Sequence, residues 1–195
     1  MEKLEATIVG FGHRSRVGKD ACADILQEFC GFDEIFSFAM PIKTACWATF
    51  GFDDSQLFGN RKETKDEFWQ ITPRRAFQDC GTALRYTCGD DIFIRSLYKR
   101  MKEMDGPEMR FVIADVRMPE EVAAIRQWGG SVYRVDRNSG PSSNHITETA
   151  LQSFNEWDGI IDNSGTLPQL RARLQNMFPI HHSEEAIATP TPPNT

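Results

Sequence analysis

The 195-residue chain is long enough for one sizeable hydrophobic core and too short for two comfortable ones, and 40% hydrophobic with 26% charged residues is an ordinary globular balance. A formal net charge of -6 argues against affinity for polymeric nucleic acid, which rewards a basic face, but leaves small anions open to local positive charge. No stretch reaches the roughly 18 to 20 uncharged apolar residues of a membrane span, and residues 1–5 lack a signal peptide's apolar core, so no membrane association and a cytoplasmic location are expected.

Residues 6–11 form a short apolar, β-branched run ending near glycine and read as a buried strand. A loop over 12–18 follows, then a helix over 19–29 with Cys22, Ile25, Leu26 and Phe29 on one face. Residues 34–39 predict a second strand, and Pro41 suits the first turn of a helix over 42–50. The polar stretch 51–70, with Lys and Arg interleaved among acids, reads as a surface connection or short helix. Helices are predicted over 73–86 and 91–104, the second followed by the best central strand of the sequence, 110–115, four apolar residues running into Asp115. A helix over 119–128 stops at Gly129 and Gly130, strands follow at 131–135 and 159–162, and a helix over 167–177 closes the fold. The proline-rich end, 179–195, is too polar to pack and is expected to be disordered.

Strands alternating with helices predict an α/β fold, a parallel sheet of about five strands with helices on both faces, whose ligands sit at the carboxyl ends of the strands. The five cysteines, Cys22, Cys30, Cys46, Cys80 and Cys88, include no Cys-x-x-Cys pair and read as reduced, packed thiols.

The strand-loop-helix unit carries the clearest chemistry. A glycine-rich turn before a helix aims backbone N–H groups at phosphate oxygens, the helix N-terminus adds partial positive charge, and a lysine reaches the β and γ phosphates. Gly12, His13, Arg14, Ser15, Arg16, Val17, Gly18, Lys19 and Asp20 would form this cradle. Two departures stand out. The first glycine of Gly-x-x-x-x-Gly-Lys falls on His13, with Gly12 one residue too early, so the loop carries an extra residue or an altered turn. The usual Ser or Thr hydroxyl after the lysine is replaced by Asp20, which either holds Mg²⁺ or simply favours the helix N-terminus.

The segment from Gly12 to Asp24 resembles the phosphate loop of bacteriophage deoxynucleoside monophosphate kinases. Four later segments resemble that family in the same order: residues 40–43, 73–82, 115–121, and 145–148 with 162–165 beyond. The resemblance spans about residues 8–174 and implies a single P-loop kinase domain over 1–178, an acceptor-binding helical part at about 40–104 and a small mobile lid at about 137–150. It also implies the reaction dNMP + ATP → dNDP + ADP with Mg²⁺, and a homodimer as a family-level expectation.

In that frame Lys19 and Mg²⁺ would neutralise the donor, while the guanidinium forks of Arg74, Arg75, Arg85 and Arg117 suit the acceptor phosphate. Arg74 and Arg75 are adjacent, about 100° apart on a helix, so only one can face the site squarely. Asp115 would organise magnesium water or a basic side chain, or cap the next turn. Gln78 and Thr82 resemble the acceptor-side motif; Lys43 either approaches the acceptor or is solvated. Asn163 stands where P-loop kinases contact adenine, or else forms a turn with Ser164 and Gly165. Arg134 or Arg137 would meet the transferring phosphate from the lid, with His145 structural. Phe77, Trp69 and Phe93 either line the sugar or pack in the core. Another small P-loop kinase, such as one acting on dephospho-coenzyme A, and a nucleotide-binding module without turnover are the competing readings.

Overall fold

The computed structural model describes residues 1–137 and 150–180. Five strands, β1 (Thr7–Gly12), β2 (Glu34–Phe36), β3 (Arg110–Val116), β4 (Ser131–Asp136) and β5 (Gly159–Asp162), form one parallel sheet in the order β2-β3-β1-β4-β5. The phosphate loop leaves the middle strand, where chain from both neighbours flanks it.

Alternating side chains split the core into two layers, as a sheet of period two requires. Ile8, Phe111 and Ile113 pack on one face with α5 (Ile92–Glu103) and α6 (Pro119–Gln127), around the fully buried Trp128. Val9, Phe11, Val112 and Ala114 pack on the other with α1 (Lys19–Phe29) and α7 (Leu167–Met177). Both faces are covered, which is why β3 reads as a continuous apolar run rather than an alternating one.

A third, smaller cluster holds the helical part together. Cys46 from α2 (Met40–Phe50), Leu57 from α3 (Asp54–Leu57) and Ala76 from α4 (Pro73–Cys88) pack with Phe52. The stretch 51–70 is more ordered than its composition suggests. Asp53 caps α3 by accepting Gln56 N–H at 2.9 Å, Gln56 returns the bond to Asp53 N–H at 3.0 Å, and a 3₁₀ turn follows at Asn60–Glu63.

The second strand is shorter than predicted, three residues instead of six. Beyond Phe36 the chain exchanges its strand partner for a side chain: Phe38 and Ala39 N–H donate to the Asp115 carboxylate at 2.8 and 3.0 Å. Helix α2 then begins at Met40, two residues early, and α4 runs to Cys88, two residues late. At the start of the expected tail Pro179 and Ile180 are exposed, and Arg110 Nη1 donates to the Pro179 carbonyl at 3.4 Å. Residues 181–195, and all of the expected lid except Arg137 and Ala150, including His145 and Glu148, lie outside the described residues.

Candidate active site

The phosphate loop departs from the regular motif in backbone geometry as well as in sequence. Strand β1 continues through Gly12, where an added Cβ would lie 2.6 Å from the Trp157 ring, and the turn falls on His13 at φ 102°. A non-glycine residue there, with Arg16 at φ 61°, is uncommon and stores about 1–3 kcal/mol of strain per position. The altered turn is thus a left-handed histidine in the place of the first glycine.

His13 is buried, with Nδ1 3.1 Å from Asp136 Oδ1. Burial, then the neighbouring Arg134, holds its pKa below the ordinary value, against the pull of Asp136. Arg134 Nε itself pairs with Asp136 Oδ1 at 2.7 Å.

Within the loop, the Lys19 ammonium donates to the His13 carbonyl at 3.1 Å and to the Arg14 carbonyl, so a buried cation sits at the floor of the cradle. Val17 is fully buried, Gly18 enters α1 at φ 95°, and Ser15 is half-buried. The Arg14 Nε is buried without a hydrogen-bond partner among the described residues. Such an unpaired guanidinium nitrogen is costly unless an anion completes it. Asp20, in the first turn of α1, is exposed.

Asn163 follows β5 and is 5% exposed. Its Nδ2 donates to the Val17 carbonyl at 2.8 Å, and its backbone N–H donates to the Asp136 carbonyl at 2.7 Å. The side chain braces the phosphate loop from behind. The adjoining turn also forms, Ser164 N–H bonding Asp162 Oδ1 at 2.9 Å.

Four cations from four elements lie within electrostatic reach of one another and of Asp20 on the loop helix. Lys43 on α2, Lys62 on the 3₁₀ turn, Arg74 on α4 and Arg117 after β3 all act electrostatically on Lys62 or are Lys62 itself, with Asp20 of the loop helix as the nearby anion. Burial, then Lys43, pushes the Lys62 pKa down, with Arg74 and Arg117 adding to the effect. Lys43 is likewise lowered, first by burial and then by Arg117, against Asp115 and Asp20. Its ammonium lies 4.5 Å above the Phe58 ring. Half-buried cations repelling one another form a site that a multiply charged anion would relieve.

The placement of the remaining residues is more local. Arg74 pairs with Glu63 on the 3₁₀ turn, whereas Arg75 points outward to Asp79 at 2.6 Å. Arg85 stacks over Phe93 at 5.0 Å, and Phe93 belongs to the core. Gln78 is half-buried; the exposed Thr82 donates its hydroxyl to the Gln78 carbonyl at 2.9 Å. Trp69 donates to the Phe50 carbonyl at 2.8 Å, and Phe77 packs on the small helical cluster. Arg137 is exposed at the last described residue of its segment.

Asp115 lies at an irregularity in the β1–β3 register, where Gly10 pairs with Ile113 but Gly12 pairs with Val116. Such a bulge re-aims a side chain. Asp115 Oδ2 accepts from Ser37 Oγ at 2.7 Å and Ala39 N–H at 3.0 Å, while Oδ1 accepts from Phe38 N–H at 2.8 Å. Both oxygens therefore hold the start of α2, and the Asp115 charge acts on Lys43, a basic side chain of that helix.

Lys62 is the site residue that sequence reasoning passed over. The one available signal was the Asp53 and Gln56 capping pair, which marks an ordered turn inside the polar stretch. Among the described residues no group of three His, Cys, Asp or Glu side chains gathers as a metal site. A magnesium bound mainly through substrate phosphates needs only one or two carboxylates, and Asp20, exposed in the first turn of α1, is a candidate for one of them.

Residues 52–174 match the profile of the deoxynucleotide monophosphate kinase family. A protein of Acanthamoeba polyphaga mimivirus, provisionally named a deoxynucleotide monophosphate kinase, is 32% identical over 172 residues, covering 80% of this chain and 88% of the relative. Among solved structures, dephospho-CoA kinase from Campylobacter jejuni aligns with a TM-score of 0.50 and 12% identity over 89% of this chain and 96% of that one. At that identity the likeness concerns the fold, which is that of the α/β P-loop kinases.

Proposed function

Because the chain belongs to the deoxynucleotide monophosphate kinase family, we propose that it moves the γ-phosphoryl group of ATP onto a deoxynucleoside monophosphate, giving dNDP and ADP. The observation that carries this reading is the phosphate loop with its buried Lys19 and unpaired Arg14 Nε, beside which Lys43, Lys62, Arg74 and Arg117 act on one another and feel Asp20 of the loop helix. A second cluster of positive charge near the first is what transfer between two anionic nucleotides requires.

Phosphoryl transfer asks little covalent chemistry of the protein and much positioning and charge. In this reading Lys19, the loop N–H groups and the α1 N-terminus take the donor phosphates, and Arg14 Nε finds its missing acceptor there. The four cations hold the acceptor phosphate, whose ionised oxygen attacks the γ phosphorus in line without a protein base. Arg137 would meet the transferring phosphate. Magnesium, held by Asp20 and the donor phosphates, would supply further charge neutralisation. Asp115 serves by fixing the start of α2.

The reading is tested with Lys62→Ala in steady-state kinetics. Hydrogen bonds to charged groups contribute about 1.5–3 kcal/mol, so the acceptor KM should rise about tenfold or more. A change confined to the KM for ATP would move Lys62 to the donor side and contradict the proposal.

A further inference from the structure

Glu121 is a buried carboxylate with no part in the chemistry above. It stands in the first turn of α6 and is 5% exposed. Its Oε2 accepts the backbone N–H of Arg117 at 2.7 Å and of Met118 at 3.1 Å. The Met118 carbonyl in turn accepts the N–H of Glu121 at 3.1 Å and of Val122 at 3.2 Å, closing the turn from both sides. Immediately before this turn, Val116 pairs with Gly12 at the head of the phosphate loop. One carboxylate thus locks the backbone at the point where the donor loop and the Arg117 segment meet.

We infer that Glu121 is a positioning residue for the acceptor clamp, setting the backbone from which Arg117 reaches the acceptor phosphate. The inference rests on the proposed acceptor role of Arg117. Capping alone does not account for it, because a first-turn glutamate caps equally well from the helix surface, where its charge stays solvated. Here the carboxylate is enclosed, with Asp115 at the end of β3 and Arg85 on α4 as the charged groups that act on it. A buried polar group tied to two neighbouring N–H groups fixes one backbone geometry where an exposed cap tolerates several. Arg117 therefore has its main chain held by Glu121 while its charge acts on Lys43 and Lys62.

The test compares wild type, Glu121→Ala, Glu121→Gln and Glu121→Asp, with Glu121→Ala and Glu121→Gln also made in an Arg117→Ala background, by steady-state kinetics with ATP and the best deoxynucleoside monophosphate. Small displacements of a positioning group are costly, so Glu121→Ala should raise the acceptor KM about tenfold or more while the KM for ATP moves less than about twofold. Glu121→Gln keeps a carbonyl oxygen at the same reach and should recover most of the loss. In the Arg117→Ala background the Glu121 substitutions should add less than about twofold, since the two residues act as one unit. Equal changes in both KM values, or additive losses in the double variants, would overturn the inference. If Glu121→Ala does not fold, the order of the other two decides: Glu121→Asp, one methylene short, should exceed Glu121→Gln in acceptor KM, and the reverse order would overturn it. Wild-type turnover with unaltered Glu121 variants defeats the inference alone; wild type that accepts no deoxynucleotide defeats the acceptor reading and the inference together.

Discussion

The side-chain amide of Asn163 donates to the carbonyl of Val17 at 2.8 Å, tying the segment after the last strand to the phosphate loop after the first. Gly18 lies inside this contact: a Cβ added there would sit 2.1 Å from Asn163 Nδ2, on a residue whose φ is already 95°. Glycine is needed for space and for backbone conformation at once.

Gly18→Ala should therefore cost at least about 1–3 kcal/mol in backbone strain and close packing, and weaken ATP binding with it. Asn163→Ala should cost about 1–3 kcal/mol by leaving the Val17 carbonyl unpaired. Thermal melts with and without ATP check both. Wild-type melting of Gly18→Ala would contradict the contact.

Arg74 and Arg75 separate two roles on one helix. Arg75 faces solvent and Asp79 in an i,i+4 pair, a contact that contributes little, so Arg75→Ala should leave both KM values within about twofold. Arg74→Ala should raise the acceptor KM about tenfold or more, because Arg74 acts on Lys62 within the cation cluster. Kinetics on the two variants side by side decide; a larger effect at Arg75 would reverse the assignment.

Lys19→Ala removes the cation at the floor of the cradle. Turnover should fall at least about a hundredfold, the scale of losing one preorganised charge contact in an active site. Near-normal turnover would detach the loop from catalysis.

The buried Glu121 also shapes the pH dependence of stability. Burial, then the charge of Asp115, pushes its pKa from 4.5 up to about 8, against the N–H groups of Arg117 and Met118 and the more distant Arg85. The folded protein thus holds a proton that the unfolded chain releases above pH 4.5. Its contribution to stability is complete below that pH and is lost as the pH rises toward about 8. Glu121→Gln, which does not titrate, should flatten the pH dependence across this window in urea unfolding. A parallel dependence in wild type and variant would contradict the buried carboxylate's role.

Much of this architecture is legible in the chain. The run ending at Asp115 is apolar on both faces because two helical layers cover it, and the strand-loop-helix unit around Gly18 and Lys19 needs only local pattern to be found. The rest depends on partners distant in sequence. Strand β2 stops at Phe36 because Asp115, far along the chain, takes the next N–H groups. Lys62 lies on a turn whose next residue, Glu63, pairs with Arg74 on α4. Asn163 could be read as an adenine contact or a turn, and its bond to Val17 joins residues that no local spacing relates. The irregular count around His13 was visible, but that a histidine would take the left-handed turn of a glycine was not.

If two neighbouring sites of positive charge serve two nucleotides, a panel of acceptor substrates will show it. Purified protein, ATP and Mg²⁺ are mixed with each deoxynucleoside monophosphate, each ribonucleoside monophosphate and dephospho-coenzyme A, and ADP and the phosphorylated product are both measured. At least one deoxynucleoside monophosphate should give its diphosphate in equal amount to ADP. Dephospho-coenzyme A as the accepted substrate, with every deoxynucleotide inert, would contradict a deoxynucleotide acceptor site.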